Sequence, residues 1–346
     1  MGTIAFRRDS ASDWTSTNPT LLVGELGLET DTLKIKVGDG SSAWSSLGYL
    51  GWNDPPFALP SAGDTNGYIC GGQLGPGPTT NAIQKHVFAN SNNAVDHGDL
   101  HAAAKGTSTT SNKGGSTVYT CTAGTAVSKF SATSNTTASS GDVTLNPGSG
   151  EERVGLNNDT KGYIVGGENH NKMDRFPFAS EGTASDIGNM LEPNNNGGQA
   201  ATQSLENGYV CGAKPSSGTY GNSIGKFPFA SEGNMQDVAN MTAAKYGVGG
   251  GIGPTHGFIH GVYPSTNIIE SFPFAAEGNS ADVADLHGAG SLGASMSSQT
   301  NAYLCGGYPG PIDRIQRYPT AAGTAGAGSD HGNLVTAVFN TSGGFL

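Results

Sequence analysis

Three short phrases recur six times along this 346-residue chain, and their spacing restricts its fold more than any other feature. The first phrase ends a short apolar stretch in small residues, and its aromatic residue is Tyr68, Tyr119, Tyr163, Tyr209, Phe258 or Tyr303. The second phrase is centred on Phe88, Phe130, Phe176, Phe227, Phe272 or Tyr318. The third, Asp-x-x-(Asp/Asn)-(Leu/Met), begins at Asp96, Asp186, Asp237, Asp282 or Asp330 and is degenerate at Asp142. One such unit cannot bury its own apolar face, so it must stack on its neighbours.

Each copy contains about four short strand patterns and no helical periodicity, which is typical of a propeller blade. The 55 glycines and the charged fraction of 13% likewise favour tight turns over long helices. We therefore predict an all-β chain with six blades in residues 65–346. The tail, residues 340–346, repeats the approach to an aromatic strand. It either gives the first blade a closing strand, which we favour because a half blade leaves an unpaired edge, or begins a seventh blade.

Double glycines such as Gly71 and Gly72 follow the first phrase, where they permit backbone angles that a side chain forbids. An apolar strand that ends in a double glycine before an aromatic strand resembles the kelch motif of β-propellers. The Phe-Pro-Phe-Ala-Ser-Glu-Gly and Asp-Val-Ala-Asn variants resemble kelch-like repeats encoded by tailed phages, especially marine ones. The resemblance covers residues 61–346 and implies a kelch-like β-propeller.

The first fifty residues do not contain the repeat. Apolar residues alternate across a polar turn and predict a hairpin with one apolar face; they are Leu26, Leu28, Leu33, Ile35 and Val37. Segments around Trp14 and Trp44 predict flanking helical turns. A module of this size with few large apolar side chains is marginal alone, so we expect its apolar face to be buried against other copies. Residues 51–64, which contain a proline pair, predict a stiff linker.

Several short motifs in residues 1–50 carry a second resemblance. They are Arg7-Arg8, Trp14 with Asn18-Pro19, Gly24 to Gly27, Glu29 to Asp31, and Lys36 to Gly40 before Trp44. Their order resembles the N-terminal module of phage fibre and tropism-determinant proteins. The resemblance implies a homotrimer attached to other virion proteins through this module, in a protein made in the host cytoplasm. The alternative is an ordinary hairpin that caps the propeller.

The charge pattern excludes some partners. The net charge is −11 and no block of Lys or Arg is present, so we expect no nucleic-acid binding. No apolar run approaches the roughly 18 residues of a membrane helix, so we expect no membrane insertion. Each cysteine lies two places after a first-phrase aromatic, in a different blade, which favours buried free thiols over disulfides. The four cysteines are Cys70, Cys121, Cys211 and Cys305.

Candidate chemical sites are few. The stretch Asp96 to His101 groups two histidines and two aspartates, but other copies place Val and Thr in these positions. Its first Asp, which recurs, is better explained by hydrogen bonds to local backbone amides than by a metal. No non-repeated group of catalytic residues is visible, and a single active site requires one. We therefore expect no enzymatic activity, no metal and no cofactor.

An assembly module joined to a rigid propeller indicates a phage tail or head fibre that binds a host-surface glycan or protein. Recognition residues usually lie in variable loops, and the most variable loops here carry Tyr220, Tyr263 and Tyr308. We predict these tyrosines as receptor contacts, with simple turn packing as the alternative role. The alternative function is a capsid decoration or tail structural protein that binds other virion proteins without a receptor role.

Overall fold

A computed structural model describes residues 7–32, 34–48, 65–112, 116–122, 124–146, 151–167, 170–194, 198–214, 220–320 and 325–345. The chain divides into two compact units, Met1–Ala58 and Leu59–Leu346. The predicted linker, residues 51–64, lies outside the described residues, so the predicted domain boundaries stay predictions. None of the described helices is long and apolar enough to cross a bilayer.

The N-terminal unit is built around two stacked tryptophans. Its elements are β1 (Arg7–Asp9), α1 (Ala11–Thr17), β2 (Leu26–Glu29), β3 (Ile35–Val37) and a 3-10 turn (Trp44–Ser46). The side chain of Ser10 accepts a hydrogen bond from the N–H of Asp13 and caps α1. Trp14 on α1 and Trp44 on the 3-10 turn stack with ring centroids 4.1 Å apart. The predicted helical turns and the β2–β3 hairpin are confirmed, while Leu33 lies outside the described residues.

The second unit is all β among its described residues. Its first strands are β4 (Asn66–Gln73), β5 (Thr79–Val87), β6 (Val95–Ala104), β7 (Ser108–Asn112), β8 (Thr117–Cys121), β9 (Ala126–Ser131), β10 (Ser139–Thr144), β11 (Arg153–Asn157), β12 (Lys161–Gly166), β13 (His170–Pro177), β14 (Gly182–Thr183) and β15 (Ser185–Asn194). The remaining strands are β16 (Ala200–Gln203), β17 (Asn207–Ala213), β18 (Gly221–Pro228), β19 (Gln236–Asn240), β20 (Gly249–Ile252), β21 (His256–His260), β22 (Thr266–Pro273), β23 (Ala281–Gly290), β24 (Ala294–Ser297), β25 (Asn301–Cys305), β26 (Ile312–Pro319), β27 (Ser329–Val338) and β28 (Ser342–Phe345).

These strands form six sheets within the described residues. The first sheet has the order β28-β4-β5-β6, and the second is β7-β8-β9-β10 with the short β14 added in parallel to β10. The third to sixth sheets are β11-β12-β13-β15, β16-β17-β18-β19, β20-β21-β22-β23 and β24-β25-β26-β27. The predicted all-β class is confirmed, and the arrangement of antiparallel sheets is propeller-like.

Sheets and sequence repeats are offset by one strand. The weak stretch that ends each repeat pairs with the first-phrase strand of the next repeat, as β16 does with β17. The first sheet therefore has no such strand from its own part of the chain. The tail strand β28 takes this place and pairs antiparallel with β4, from Ser342 opposite Cys70 to Phe345 opposite Gly67.

Neighbouring sheets meet through aromatic side chains. In each sheet the first-phrase aromatic packs against the central aromatic of the next sheet, with ring centroids 5.2–5.8 Å apart. These pairs are Tyr68–Phe130, Tyr119–Phe176, Tyr163–Phe227, Tyr209–Phe272 and Phe258–Tyr318. Tyr303 of the sixth sheet contacts two rings of the first sheet: Phe88 stacks on it at 4.7 Å, and His86 meets it edge-on at 5.9 Å. The aromatic contacts thus run from every sheet to the next and from the sixth to the first.

The strand register corrects our alignment of the first repeat. Phe176 lies opposite Gly162, whereas the residue opposite Gly67 is His86. His86, not Phe88, therefore occupies the central aromatic position of the first sheet. Phe88 corresponds to the second aromatic of the Phe-Pro-Phe sequence. The sequence signal was ambiguous because both residues lie on the same face of the strand, two positions apart.

Backbone hydrogen bonds also join each sheet to the next. The residue before the outermost strand donates its N–H to a carbonyl of the preceding sheet, that of the residue just before the Leu or Met of the third phrase, at 2.7–3.0 Å. The donor–acceptor pairs are Ala94–Asn333, Ala138–Asp99, Ala184–Thr144, Met235–Asn189, Ser280–Asn240 and Gly328–Asp285. The third phrase therefore marks the point where two sheets are joined. Its first Asp has the predicted local role, since Asp186 accepts the N–H of Gly188 at 3.1 Å.

The four cysteines are buried and free, as predicted. Each lies on the second strand of its sheet, and Cys70 pairs with Ile83 of β5 and Ser342 of β28. Burial raises the pKa of the Cys70 thiol to about 11, so the unreactive thiol form predominates at neutral pH. Three of the four side chains act as small apolar groups in the core, whereas the sulfur of Cys121 accepts a hydrogen bond from Arg153.

A glycine precedes the first-phrase aromatic in four of the six sheets, and it provides the first test of this packing. A β-carbon on Gly162 would lie 2.6 Å from Cζ of Phe176. We expect Gly162→Ala to lower the free energy of unfolding by about 1–3 kcal/mol, because the ring must move. Urea unfolding followed by circular dichroism measures the change. Gly278→Ala is the matched control, since its β-carbon would have no neighbour closer than 3.7 Å; an equal loss in both variants would contradict the explanation.

Candidate functional site

The three predicted loop tyrosines lie in one continuous row of aromatic rings. The aromatic row consists of Tyr220, Tyr246, Tyr263, Tyr308 and Phe339, and successive ring centroids are 4.7, 4.8, 5.4 and 6.3 Å apart. Side-chain contacts thereby connect Tyr220 to Tyr308, which are 88 residues apart in the sequence. The structure brings the predicted residues together, and their role in binding stays a prediction.

The row is positioned by loops at one end of three neighbouring sheets. Tyr220, Tyr263 and Tyr308 lie in the connections between the second and third strands of the fourth, fifth and sixth sheets. Tyr246 precedes the fifth sheet, and its carbonyl accepts the N–H of Tyr263 at 2.9 Å. Phe339 exchanges backbone hydrogen bonds with Gln73 of the first sheet.

Sequence reasoning missed Tyr246 and Phe339. Both follow the third phrase, in connections to the innermost strands β20 and β28 that have no repeated aromatic signal. A search for aromatic residues near the ends of any strand would have included them. It would not have grouped them with the three loop tyrosines, because that grouping depends on contacts between sheets.

The row combines ring surface with polar groups. Tyr220 is 37% exposed, Tyr246 is buried, and Tyr263, Tyr308 and Phe339 are half-buried. Burial and the neighbouring hydroxyls of Tyr263 and Tyr220 raise the pKa of Tyr246, so its phenol stays protonated at neutral pH. The Nζ atom of Lys214 lies 4.8 Å from the Tyr246 ring centroid, within cation–π range. The arrangement suits stacking and hydrogen bonding to a ligand.

A separate cavity of ≈ 130 Å³ lies between the innermost strands of the sheets. Its walls are mainly glycine backbone and hydroxyl side chains. Several hydroxyls bridge neighbouring sheets, as when Thr110 donates to the carbonyl of Leu156 at 2.7 Å and Thr202 to that of Gly251 at 2.7 Å. Such a volume holds about four waters. The hydroxyl groups of Thr110 and Thr202 therefore have a structural role, because their hydrogen bonds join neighbouring sheets.

The histidines considered as metal ligands contact the neighbouring sheet instead. A ring nitrogen of His97 lies 2.9 Å from the carbonyl oxygen of Ser131, and one of His101 contacts the hydroxyl of Ser128. Within the residues that the structure describes, no group of three or more metal-ligating side chains comes together.

In the N-terminal unit, the two faces of the β2–β3 hairpin differ in burial. The register pairs Leu26 with Val37 and Leu28 with Ile35 on one face, which is only half-buried. The buried face carries Gly27, Glu29 and Lys36; the Nζ of Lys36 donates to the carbonyl of Trp44 at 2.8 Å.

The half-buried hairpin face is accompanied by two strongly exposed apolar side chains. Leu22 is 74% exposed and Val23 is 80% exposed. We refer to these two residues and the half-buried Leu26, Leu28, Ile35 and Val37 together as the apolar face of the N-terminal unit. Large apolar side chains left in solvent on a small unit indicate an interaction surface.

Residues 4–42 match the family model described as the major tropism determinant N-terminal domain. The N-terminal unit is a module of the phage tail-fibre type. A hyaluronoglucosaminidase of Streptococcus pyogenes phage H4489A is 47% identical over 47 residues, which cover 14% of this chain and 13% of that protein. These matches support a phage tail or structural protein. They concern the N-terminal module, so the activity that the relative is named for does not transfer to the repeat unit.

The different burial of the row members predicts different effects on stability. We expect Tyr246→Ala to lower the free energy of unfolding by about 3 kcal/mol, because it removes a buried ring that contacts two others. Tyr220→Ala should cost less than about 1 kcal/mol, because that ring is partly exposed. Urea unfolding of both variants measures the difference. The row would not be a packed structure if Tyr246→Ala were as well tolerated as Tyr220→Ala.

Proposed function

We propose that this protein is a phage virion structural protein, a tail or head fibre, that presents a β-propeller for binding a host-surface receptor. The observation that carries the proposal is the aromatic row, in which loops of three sheets offer contiguous rings on a chain that carries a tail-fibre type module. The role requires no bond-breaking chemistry and no cofactor. The protein acts in the virion.

The repeat unit, residues 65–346, is proposed to be a closed kelch-like propeller of six blades, with the first sheet completed by the tail strand. Three observations support it. Aromatic contacts pass from each sheet to the next and from Tyr303 back to Phe88. Backbone hydrogen bonds follow the same cycle, including Ala94 to Asn333. Finally, β28 pairs with β4. Such closure leaves no sheet with a missing neighbour.

The N-terminal module, residues 1–50, is proposed to form a homotrimer that attaches the protein to other virion proteins, with residues 51–64 as the linker. The apolar face of the N-terminal unit supports self-association, since three copies would remove it from water. A trimer presents three aromatic rows at once. Three weak sites held together raise avidity without new contacts at any one site.

Truncating two rings of the row tests receptor binding, one at its exposed end and one that is half-buried. Fluorescently labelled full-length protein should bind candidate host bacteria and block infection. Tyr220→Ala and Tyr308→Ala should each weaken cell binding by about tenfold or more, because aromatic anchors dominate interface energies. Leu205→Ala is the matched control; Leu205 is half exposed but lies in the β16–β17 connection, at the other end of the fourth sheet.

The same assay separates the remaining possibilities. Loss of binding after periodate treatment of the cells indicates a glycan receptor, and loss after protease treatment indicates a protein. Binding to purified phage particles but to no tested cells would contradict the receptor role. It would support a decoration or tail structural protein instead.

Sedimentation equilibrium tests the trimer. The wild-type chain should sediment at three times its mass of 35.0 kDa. The double variant Leu26→Asp, Leu28→Asp should sediment as a monomer, because buried unpaired carboxylates oppose association. Val335→Asp, at an exposed apolar position of β27, is the control and should remain a trimer. A monomeric wild type with folded circular dichroism would contradict the proposal.

A further inference from the structure

The contact between the sixth and first sheets differs from the other five at the central aromatic position. The central aromatic position holds Phe or Tyr in the second to sixth sheets, at Phe130, Phe176, Phe227, Phe272 and Tyr318. In the first sheet it holds His86, which lies opposite Gly67. The ring of His86 meets Tyr303 edge-on at 5.9 Å, as Phe176 meets Tyr119 at 5.2 Å. A titratable ring thus replaces an apolar one where the two ends of the repeat unit meet.

A second histidine lies against the first. The rings of His86 on β5 and His331 on β27 are 5.0 Å apart, centroid to centroid. His331 follows the first Asp of the third phrase, where the third, fourth and fifth sheets carry Ile187, Val238 and Val283. The first sheet carries His97 there, but a ring nitrogen of His97 lies 2.9 Å from the carbonyl oxygen of Ser131, and no second buried histidine among the described residues contacts it. Both deviations from the repeat therefore fall on the same contact and touch each other.

Both imidazoles are buried with little hydrogen bonding. His86 is 0% exposed and His331 is 1% exposed. Neither ring nitrogen of His86 has a hydrogen-bond partner among the described residues, and Nε2 of His331 has none there either. Nδ1 of His331 lies 3.1 Å from the hydroxyl of Ser91. A neutral ring tolerates this environment far better than a charged one.

The charged groups around the two rings do not offset the free-energy cost of a positive charge on them. Arg317 on β26 opposes protonation of both histidines, and the two histidines oppose each other. Asp330, beside His331 on β27, favours the charged form of that ring, but its carboxylate also accepts the N–H of Gly332 at 3.2 Å. Tyr303 of β25 contributes a neutral phenol. Burial, reinforced by His331 and Arg317, lowers the pKa of His86 to about 4.

Two other sheet contacts hold one buried histidine each within the part of the chain that the structure describes. Both of these rings have hydrogen-bond partners: His260 contacts the hydroxyls of Tyr318 and Ser295, and His97 contacts the carbonyl of Ser131.

We propose that the His86–His331 contact, which holds two buried histidines, is an acid-sensitive latch, at which the sixth and first sheets separate before the contacts with one buried histidine or none when the pH falls. Separation lets both rings take up protons in water. The polar bonds that bridge the same contact would break with it. They join the side chain of Gln84 to the backbone of Thr336 at 2.8 and 3.1 Å, and the backbone of Ala94 to Asn333 at 2.8 Å.

The pH window follows from the two protonation states. An exposed histidine has a pKa of 6.5, whereas His86 in the closed contact has a pKa of about 4. The open state therefore binds more protons between these values, and closure is lost progressively as the pH falls from about 6.5 towards 4. Above pH 6.5 both states are neutral and the latch stays closed. The inference does not depend on receptor binding.

Two substitutions taken from the chain's own repeats test the latch. His86→Phe restores the aromatic of the other sheets, and His331→Val restores the aliphatic residue of Val238. Each should lower the midpoint of acid unfolding, followed by circular dichroism, by about half a pH unit or more. His287→Val, which removes an exposed histidine of β23, is the control and should leave the midpoint unchanged. Unshifted midpoints in both latch variants would overturn the proposal.

Hydrogen exchange of the wild-type protein tests the location without any substitution. Mass spectrometry at pH 7 and pH 5, corrected for intrinsic exchange, should show β5 and β27 losing protection first. The third-to-fourth sheet contact, through β12 and β18, should stay protected at pH 5, since Tyr163 and Phe227 meet there without a histidine. Simultaneous loss at all contacts, or earlier loss at β12 and β18, would overturn the proposal even if the variants failed to fold.

Discussion

The aromatic contact between neighbouring sheets is the interaction on which the rest of the repeat unit depends. Each sheet contributes one aromatic to the sheet before it and one to the sheet after it, as the third sheet does with Phe176 and Tyr163. Full burial of such a side chain stabilises the fold by about 1.5–3 kcal/mol. No sheet obtains this burial alone. The central aromatic also explains the glycine before Tyr163, Tyr209 and Phe258, because its ring, on the next strand of the same sheet, occupies the space of a β-carbon.

Hydrogen bonds between neighbouring sheets add to the aromatic contacts. The third phrase supplies carbonyl acceptors near the outermost strands, and threonine and serine hydroxyls link the innermost strands. The loops at one end of the sheets vary in length and carry the aromatic row. The row contains both the buried Tyr246, which packs between neighbouring sheets, and the partly exposed Tyr220. Structural packing and the proposed recognition therefore share these loops.

Buried polar side chains occur at two places to which we assign a further role: the hairpin of the N-terminal unit, and the contact between the sixth and first sheets. In the N-terminal unit, Lys36 is buried against Trp44 and leaves the aliphatic side of the hairpin available for another molecule. At the contact of the sixth and first sheets, His86 and His331 substitute for apolar residues without a compensating acid on His86. Burying such groups costs free energy in the isolated chain. Such costs are characteristic of sites with a further role.

The sequence by itself determined the features that local patterns encode. The period of the aromatic phrases specified an all-β repeat unit, alternation specified the β2–β3 hairpin, and repeat position specified four buried free cysteines. Only the tertiary structure decided which strands share a sheet, that His86 rather than Phe88 is central, which hairpin face is buried, and that Tyr246 and Phe339 extend the row. The physical reason is the distance along the chain over which the interactions act. Alternation and turn signals reflect residues a few positions apart, and the repeat shows only that similar units recur. The other outcomes depend on packing between segments tens to hundreds of residues apart in the chain.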